Sequence, residues 1–307
     1  MRAQAERLRG PDGRYLLPPT PASAPWTGGR LLRVGRAFAL LRQDTWAPDA
    51  LQRAVLGDHT GTLDRVVLPD PSTPGAAASV AELVRLATRY TDADRLPGRT
   101  QLVVRWPSGD TGTAAAFAAA GLRLDALMGE RAAEPLPGHP VAGVTVRIAA
   151  PADVPAVVDL AVEETRYHVA ISPFTRDVDA VRGWTSGAVL AADPARPVFV
   201  AERDGRVVGY AACELVDTPD DGLVHPLPPG RTGHLRSVGV TAAGRGRGTG
   251  TALVHAACTV LAGAGATRFG LGFLPGNPTA EPFWLGLGFV PVRGVWSAIV
   301  ADRPAAR

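Results

Sequence analysis

The sequence lacks lysine, has very little cysteine and contains no long apolar run. None of its 307 residues is Lys, so all 32 basic side chains are Arg. Cys213 and Cys258 lie far apart, without the spacing of metal ligands or of a redox pair. We therefore expect no disulfide framework and no metal site, and interpret both thiols as buried apolar groups. No segment is apolar over enough residues to cross a bilayer, so we expect no membrane partner.

The charge pattern argues against a nucleic-acid partner. The formal net charge is only +3, and the Arg residues are scattered through a chain rich in Ala, Gly and Pro. Few aromatic residues stand among them, whereas nucleic-acid binding usually needs a basic stripe. The first thirty residues lack the apolar core of a secretion signal, and we expect a cytoplasmic protein.

The length predicts two domains, because one hydrophobic core rarely serves a chain of this size. We expect an arm over 1–30, a first domain over 31–132, a Pro-rich linker over 133–142 and a second domain over 143–307. In both domains short strands alternate with segments of helical periodicity, which predicts an α/β fold with a mixed sheet and helices on its faces.

Several segment predictions can be checked directly. They are a strand over 31–41, a helix over 47–56, a loop over 216–233 and a closing pair of strands within 289–301. The loop contains Asp217, Asp220 and Asp221. An acidic rim would suit a cationic substrate, although a solvated loop explains the same composition.

The strongest local signal is the segment Arg245-Gly246-Arg247-Gly248-Thr249-Gly250, which follows a predicted strand and opens a predicted helix. Backbone N–H groups at such a turn, together with the helix dipole, favour an anion such as a pyrophosphate. The lysine of a P-loop is missing, and the glycine spacing differs from that of the dinucleotide fingerprint. A glycine-rich loop without a ligand is the alternative.

The surroundings of this loop resemble the GNAT acetyltransferase superfamily. Arg245, Gly248 and Gly250 fit that family's [Q/R]-x-x-G-x-[G/A] signature. Asn277 and the segment 283–289, Phe-Trp-Leu-Gly-Leu-Gly-Phe, fit its later motif of Asn, aromatic pair and Gly-Phe. The resemblance covers about 143–300 and implies an acetyl-CoA-dependent N-acyltransferase fold.

The same resemblance implies a reaction, with acetyl-CoA as co-substrate and an amine of a small molecule attacking the thioester directly. The strand before the loop would hold the pantetheine arm and supply the N–H for the oxyanion, near Val238. The residues that the resemblance implies for CoA binding are Val238, Gly239, Val240, Arg245, Gly246, Arg247, Gly248, Thr249, Gly250, Thr251 and Asn277.

The family's usual acid is absent. Trp284 stands where many members have a Tyr that protonates the leaving thiolate, and an indole cannot do this. We interpret Trp284 as a core aromatic. Tyr210, our candidate catalytic acid, or Tyr167 could substitute if its hydroxyl faces the sulfur. Alternatively, the thiolate leaves unprotonated, since a thiol is acidic enough.

The general base is also open. His234 occupies a position where some members carry Glu, and imidazole is suited to proton abstraction near pH 7. A structural histidine at the start of a strand is the alternative. A second family position for Glu is Gly272 here, which excludes it. Glu163, Glu164 and His168 could line the acceptor site, although charges on a helix are usually solvated.

The first domain faintly resembles the same fold in its closing elements. Its predicted turn over 69–75 lacks the arginine–glycine signature, and prolines there remove N–H donors. We therefore expect two tandem copies, the first degenerate and without CoA. It could shape the acceptor site or replace a dimer partner, in a monomer or a homodimer. The alternatives to an enzyme are a non-catalytic CoA-binding sensor or scaffold and, disfavoured by the charge pattern, a nucleic-acid binder.

Overall fold

The structure is a computed structural model, and it describes residues 4, 8, 29–134, 141–175, 178–219 and 229–304. Most of the predicted arm over 1–30 and of the linker over 133–142 therefore lies outside the described residues. Asp220 and Asp221 of the predicted acidic loop also lie outside them.

All strands of the described residues belong to one mixed sheet, as expected for an α/β fold. Their order across the sheet is β1-β2-β3-β4-β11-β5-β10-β9-β8-β7-β6. The strands are β1 (Arg30–Val34), β2 (Ala37–Thr45), β3 (His59–Val67), β4 (Gly98–Pro107), β5 (Arg123–Ala132), β6 (Thr145–Ile148), β7 (Val198–Arg203), β8 (Arg206–Thr218), β9 (Gly230–Val240), β10 (Arg268–Phe273) and β11 (Val290–Arg303).

Helices cover the sheet on both faces. None of the described helices has the length and apolarity that crossing a membrane would require. Side chains of β7 alternate between two cores: Phe199 packs toward the cluster around α6, and Val200 toward the cluster around α4 and α5. The helices are α1 (Gln52–Leu56), α2 (Ala76–Thr91), α3 (Thr111–Ala119), α4 (Val154–Ile171), α5 (Val178–Leu190), α6 (Thr249–Gly263) and α7 (Ala280–Gly286).

The two halves of the chain exchange their last strands. β5, from the N-terminal half, pairs with β10 and β11 of the C-terminal half, and β11 in turn pairs with β4. The exchange extends into the cores, because Trp296 of β11 packs on Phe117 with ring centroids 5.9 Å apart. Leu127 of β5 packs in return against the core that contains Phe269. Each half thus completes the sheet of the other, and the two predicted domains share one sheet.

Four segment predictions need correction. The strand predicted over 31–41 is a hairpin, because Gly35 turns the chain with φ +57° between β1 and β2. The helix over 47–56 is shorter and begins only at Gln52. The closing pair within 289–301 is the single long strand β11, which finds its partners β4 and β5 in the other half of the chain.

The loop predicted over 216–233 is also shorter than expected. β8 continues to Thr218 and β9 begins at Gly230. Asp217 and Arg231 face each other across these strands and form an ion pair of 2.7 Å. Acidic composition suggested a solvated loop, whereas the opposite charge across the strand pair makes that aspartate compatible with a strand.

Two residues near the start of the chain, Gln4 and Leu8, pack against the N-terminal half. Parallel pairing of β3 with β4 ends at Leu63 and Val104. Beyond that point the buried Gln4 amide donates to the Val66 carbonyl at 3.0 Å and accepts from the Leu68 N–H at 2.6 Å. Leu8 packs into the adjoining core. A side-chain amide thus replaces the backbone partner that β3 lacks there.

Candidate active site

A cleft opens where β9 and β10 separate. Their parallel pairing runs from Thr232 and Arg268 to Leu235 and Leu271, and stops there. Among the described strands, none pairs with β9 on that side beyond Leu235. Backbone groups of β9 that face this edge between Leu235 and Val240 therefore have no strand partner there and can meet a ligand, apart from the Val240 carbonyl, which accepts from Arg245.

The glycine-rich loop forms one end of this cleft. Gly246 and Gly248 have φ of +69° and +79°, values that glycine adopts without strain. Gly248 is the N-cap of α6 and provides no side chain to cap it. The first N–H groups of α6 have no intrahelical acceptors and carry the positive end of the helix dipole. This geometry suits an anion.

Arg245 closes the loop against the end of β9. Its Nε donates to the Val240 carbonyl at 3.1 Å, and its guanidinium lies 3.6 Å from the Glu163 carboxylate. The side chain is half-exposed at the cleft wall, so positive charge stands beside the α6 N-terminus.

The cleft has a volume of about 510 Å³ and joins the loop, the free edge of β9, α4 and the start of α7. Of the residues that the resemblance implies for CoA binding, Arg247 alone is missing from its wall, and its side chain is exposed. The lining residues predicted from the sequence are Val238, Gly239, Val240, Arg245, Gly246, Gly248, Thr249, Gly250, Thr251 and Asn277.

Asn277 and Trp284 shape the far wall. The buried Asn277 carboxamide oxygen accepts from the N–H groups of Thr279 and Ala280, each at 3.0 Å, and so fixes the start of α7. Trp284 is nearly buried between Phe283 and Phe289, with ring centroids 4.7 and 5.5 Å away. This packing agrees with the interpretation of Trp284 as a core aromatic.

Three side-chain oxygens meet under the backbone of β9. The Tyr210 hydroxyl lies 3.0 Å from Glu164 Oε2 and 2.5 Å from Ser237 Oγ, and Ser237 Oγ lies 3.1 Å from the same Glu164 oxygen. Glu164 lines the cleft, whereas Tyr210 is fully buried behind it. Burial raises the pKa of the Glu164 carboxyl and raises that of the Tyr210 phenol well above its usual value.

The Gly239 backbone lies directly against this trio. A Cβ at that position would stand 2.5 Å from Tyr210 Cε1 and 3.4 Å from Glu164 Oε2. No real side chain fits so close to a buried ring. The strand backbone therefore passes directly over the trio only because residue 239 is glycine.

His234 is not brought to the cleft. Its Nδ1 lies 3.2 Å from Glu214 Oε1, which also accepts from Arg236 at 2.8 Å. The Arg236 guanidinium in turn lies over the Trp184 ring, 5.2 Å from its centroid. The candidate base predicted from the sequence thus belongs to an ion-paired cluster away from the cleft wall.

Sequence reasoning missed Ser237 and offers Glu164 only as one of three residues that could line the acceptor site, with a solvated helix charge as the alternative. Glu164 continues the buried stripe of Val157, Leu160 and Ala161 at helical spacing. That spacing was a usable signal. Ser237 offered none, because a register shift in the β8–β9 pairing decides which way it faces.

The cleft can bind a long ligand that carries phosphate at one end and amide or carbonyl groups at the other. Backbone donors serve both ends, and a carboxylate stands on the wall between them. Within the described ranges, no three His, Cys, Asp or Glu side chains gather as a metal site, and Cys213 and Cys258 are buried free thiols.

Comparisons with known proteins agree with this geometry. Residues 154–289 match the family model described as the acetyltransferase (GNAT) family. The crystal structure of a GCN5-related N-acetyltransferase from Sphaerobacter thermophilus is similar with 18% identity and a TM-score of 0.55, over 88% of this chain and 79% of that one. At that identity the likeness shows the fold, and its coverage extends into both halves.

Two further solved structures are similar at lower scores. A GCN5-related N-acetyltransferase from Kribbella flavida has 16% identity and a TM-score of 0.49, with 91% of each chain covered. A tandem GNAT protein from the clavulanic acid biosynthesis pathway has 20% identity and a TM-score of 0.46, over 93% of this chain and 86% of that one. A search of curated protein sequences gives no match. The matched segment contains α4, the free edge of β9, the glycine-rich loop and α7, and the C-terminal half of this chain therefore carries a domain of the GNAT acetyltransferase family.

Proposed function

We propose that this protein transfers an acetyl group from acetyl-CoA to an amine of a small molecule, by direct attack of the amine on the thioester. The observation that carries the proposal is the continuity of one cleft from the bare N-terminus of α6 to the unpaired edge of β9. Such a cleft matches a ligand with a pyrophosphate at one end and an amide-bearing arm at the other.

The residues fit the CoA pyrophosphate. The N–H groups from Gly246 to Thr251 would bind its oxygens, with Arg245 and Arg247 adding charge. Thr249 supports this fit independently, since its hydroxyl is buried on the cleft wall and has no hydrogen-bond partner among the described residues. A buried hydroxyl of this kind is costly unless a ligand atom completes it.

The residues also fit the arm and the reacting carbonyl. Val238 and Val240 would pair through their backbone with the pantetheine amides, and Asn277 stands near the expected sulfur. The N–H near Val238 would stabilise the oxyanion of the tetrahedral intermediate. Holding both reactants in one cleft supplies most of the remaining acceleration.

Charge on the wall favours an amine as the acceptor. Glu163, Glu164 and His168 of α4 line the same cleft, and both carboxylates would attract a cation. His234, predicted as a base, and Tyr210, predicted as an acid, are less well supported, because neither side chain lines the cleft.

Free-thiol release from acetyl-CoA tests the proposal, measured over a panel of an amino acid, an aminosugar, a polyamine and an arylalkylamine. We expect release with at least one class of amine and an acetylated product by mass spectrometry. A non-catalytic CoA-binding sensor is the second candidate, favoured by Trp284 at the position of the usual acid. Calorimetric binding of acetyl-CoA together with silence on every amine would support the sensor and contradict the enzyme.

A further inference from the structure

The trio of Glu164, Tyr210 and Ser237 has an unusual hydrogen balance. Three oxygen–oxygen contacts between 2.5 and 3.1 Å join the three groups in a ring. Each contact requires one hydrogen, and the phenol and the hydroxyl together supply two. When Glu164 is ionised, one contact lacks a hydrogen. When Glu164 holds a proton, every contact is a hydrogen bond, so the ring is completed by one proton.

The position of Glu164 makes that proton exchangeable with the cleft. Glu164 lines the cleft, and its Oε2 lies beside the β9 backbone at Gly239. This strand segment is where the proposed function puts the reacting carbonyl. Tyr210 is fully buried, and neither Tyr210 nor Ser237 lines the cleft, so the approach to Glu164 from the cleft is left to the ligand.

We infer that Glu164 is the group that accepts the proton of the acceptor amine, with Tyr210 and Ser237 as positioning residues; this rests on the proposed function. The ammonium form gives one proton to the Glu164 carboxylate. The neutral nitrogen attacks the thioester carbon, the C–N bond forms, and the C–S bond breaks with its electron pair on sulfur. The second nitrogen proton ends on the thiolate, and Glu164 returns its proton to water.

The charges around Glu164 set the pH dependence. Burial raises its pKa, opposed by His168 on the same helix, by the hydroxyls of Tyr210 and Ser237, and by Arg245 of the loop. A base with a raised pKa is protonated in acid and active above that pKa. The rate therefore rises with pH on the acid side of the pH–rate profile. The midpoint of this acid limb lies above the ordinary glutamate pKa of 4.5.

The test compares Glu164→Gln with Asp159→Asn, an exposed charge on the same helix outside the cleft. With the best amine of the panel, E164Q should lower kcat by about 100-fold or more and remove the acid limb, while acetyl-CoA affinity is retained. D159N should keep both the rate and the limb. An E164Q enzyme with an unchanged acid limb would overturn the inference, although acetyl transfer itself would stand.

Tyr210→Phe separates positioning from structural support. The Tyr210 hydroxyl makes one of the two contacts to Glu164 Oε2, so its removal should shift the midpoint of the acid limb. A variant that is merely less stable would lose rate with the limb unmoved, and that result would contradict the role of Tyr210.

A second measurement needs no acceptor. In protein labelled with ¹³C-carboxyl glutamate, the resonance that E164Q removes should titrate with a midpoint above 4.5. A midpoint at or below 4.5 would overturn the inference, whether or not an amine of the panel reacts. A panel without any reaction would contradict the proposed function separately.

Discussion

Each half of this protein has a corner at which two parallel strands separate in front of a helix, and the two corners are occupied differently. In each, a parallel strand pair separates and a glycine with φ +79° begins the following helix: Gly248 before α6 and Gly75 before α2. The C-terminal corner is an open cleft. In the N-terminal corner the Gln4 side chain hydrogen-bonds to the backbone of Val66 and Leu68, beyond the last pair of β3 with β4.

The loops explain the difference. Before Gly75 stand Pro69, Pro71 and Pro74, which have no N–H to offer. Asp70 accepts from two of the donors that remain: its carboxylate from the N–H of Ser72 and its carbonyl from the N–H of Thr73, each at 2.9 Å. Both halves have a turn that ends in a glycine before the helix, but the turn of the N-terminal half has fewer free backbone N–H groups. We therefore expect anion binding to depend on the sequence of the turn rather than on the fold.

The largest expected effect comes from filling the two glycine positions with the same side chain. At Gly248 a Cβ would stand 2.8 Å from Val141 Cγ2, whereas Gly75 has open space. Gly248→Trp should weaken acetyl-CoA binding by about 100-fold or more, because the anion's donors are blocked. Gly75→Trp carries the same backbone strain and should leave binding unchanged. Calorimetry with acetyl-CoA on both variants checks this. An equal loss of affinity in both would contradict the difference between the two corners.

Removal of the Gln4 side chain from the N-terminal corner should lower stability and leave acetyl-CoA binding unaffected. Gln4→Ala leaves the buried Val66 carbonyl and Leu68 N–H without partners, which should cost about 1–4 kcal/mol of stability. Acetyl-CoA affinity should not change. Gln43→Ala, which removes an exposed amide, is the control.

Urea unfolding and amide exchange together measure the Gln4→Ala result. We expect the Leu68 N–H to be protected in the parent protein and exposed in Gln4→Ala. A Leu68 amide that exchanges freely in both would contradict the filling of this corner by Gln4.

The smallest effect concerns the seam between the halves. Asp125 of β5 accepts from Ser172 at 3.3 Å and from Ser297 of β11 at 3.4 Å, and burial raises its pKa to about 6. A raised pKa gives stability that is present below the unfolded value and lost as pH rises through about 6. Asp125→Asn should therefore stabilise the protein by on the order of 1–3 kcal/mol at pH 8. Urea unfolding should show this gain shrinking toward pH 4; a gain independent of pH would contradict the assignment.

Sequence reasoning reached local features better than distant ones. The glycine-rich loop could be predicted because strand, turn and helix are contiguous from His234 to Thr251. The exchange of β5 and β11 could not, since each strand is completed by partners far away in the chain. Gln4 was hidden for the same reason, as its partners lie more than 60 residues away. The position of His234 in the sequence predicts a base, whereas its contact with Glu214 places it in a different cluster.

The stoichiometry of acetyl-CoA binding tests the contrast between the two corners most directly. Calorimetry on the full chain should give one molecule of acetyl-CoA per protein, bound in the C-terminal cleft and lost in Gly248→Trp. Two molecules per chain would contradict the account, because the corner filled by Gln4 would then be a cofactor site as well, and no binding would remove the cleft from consideration.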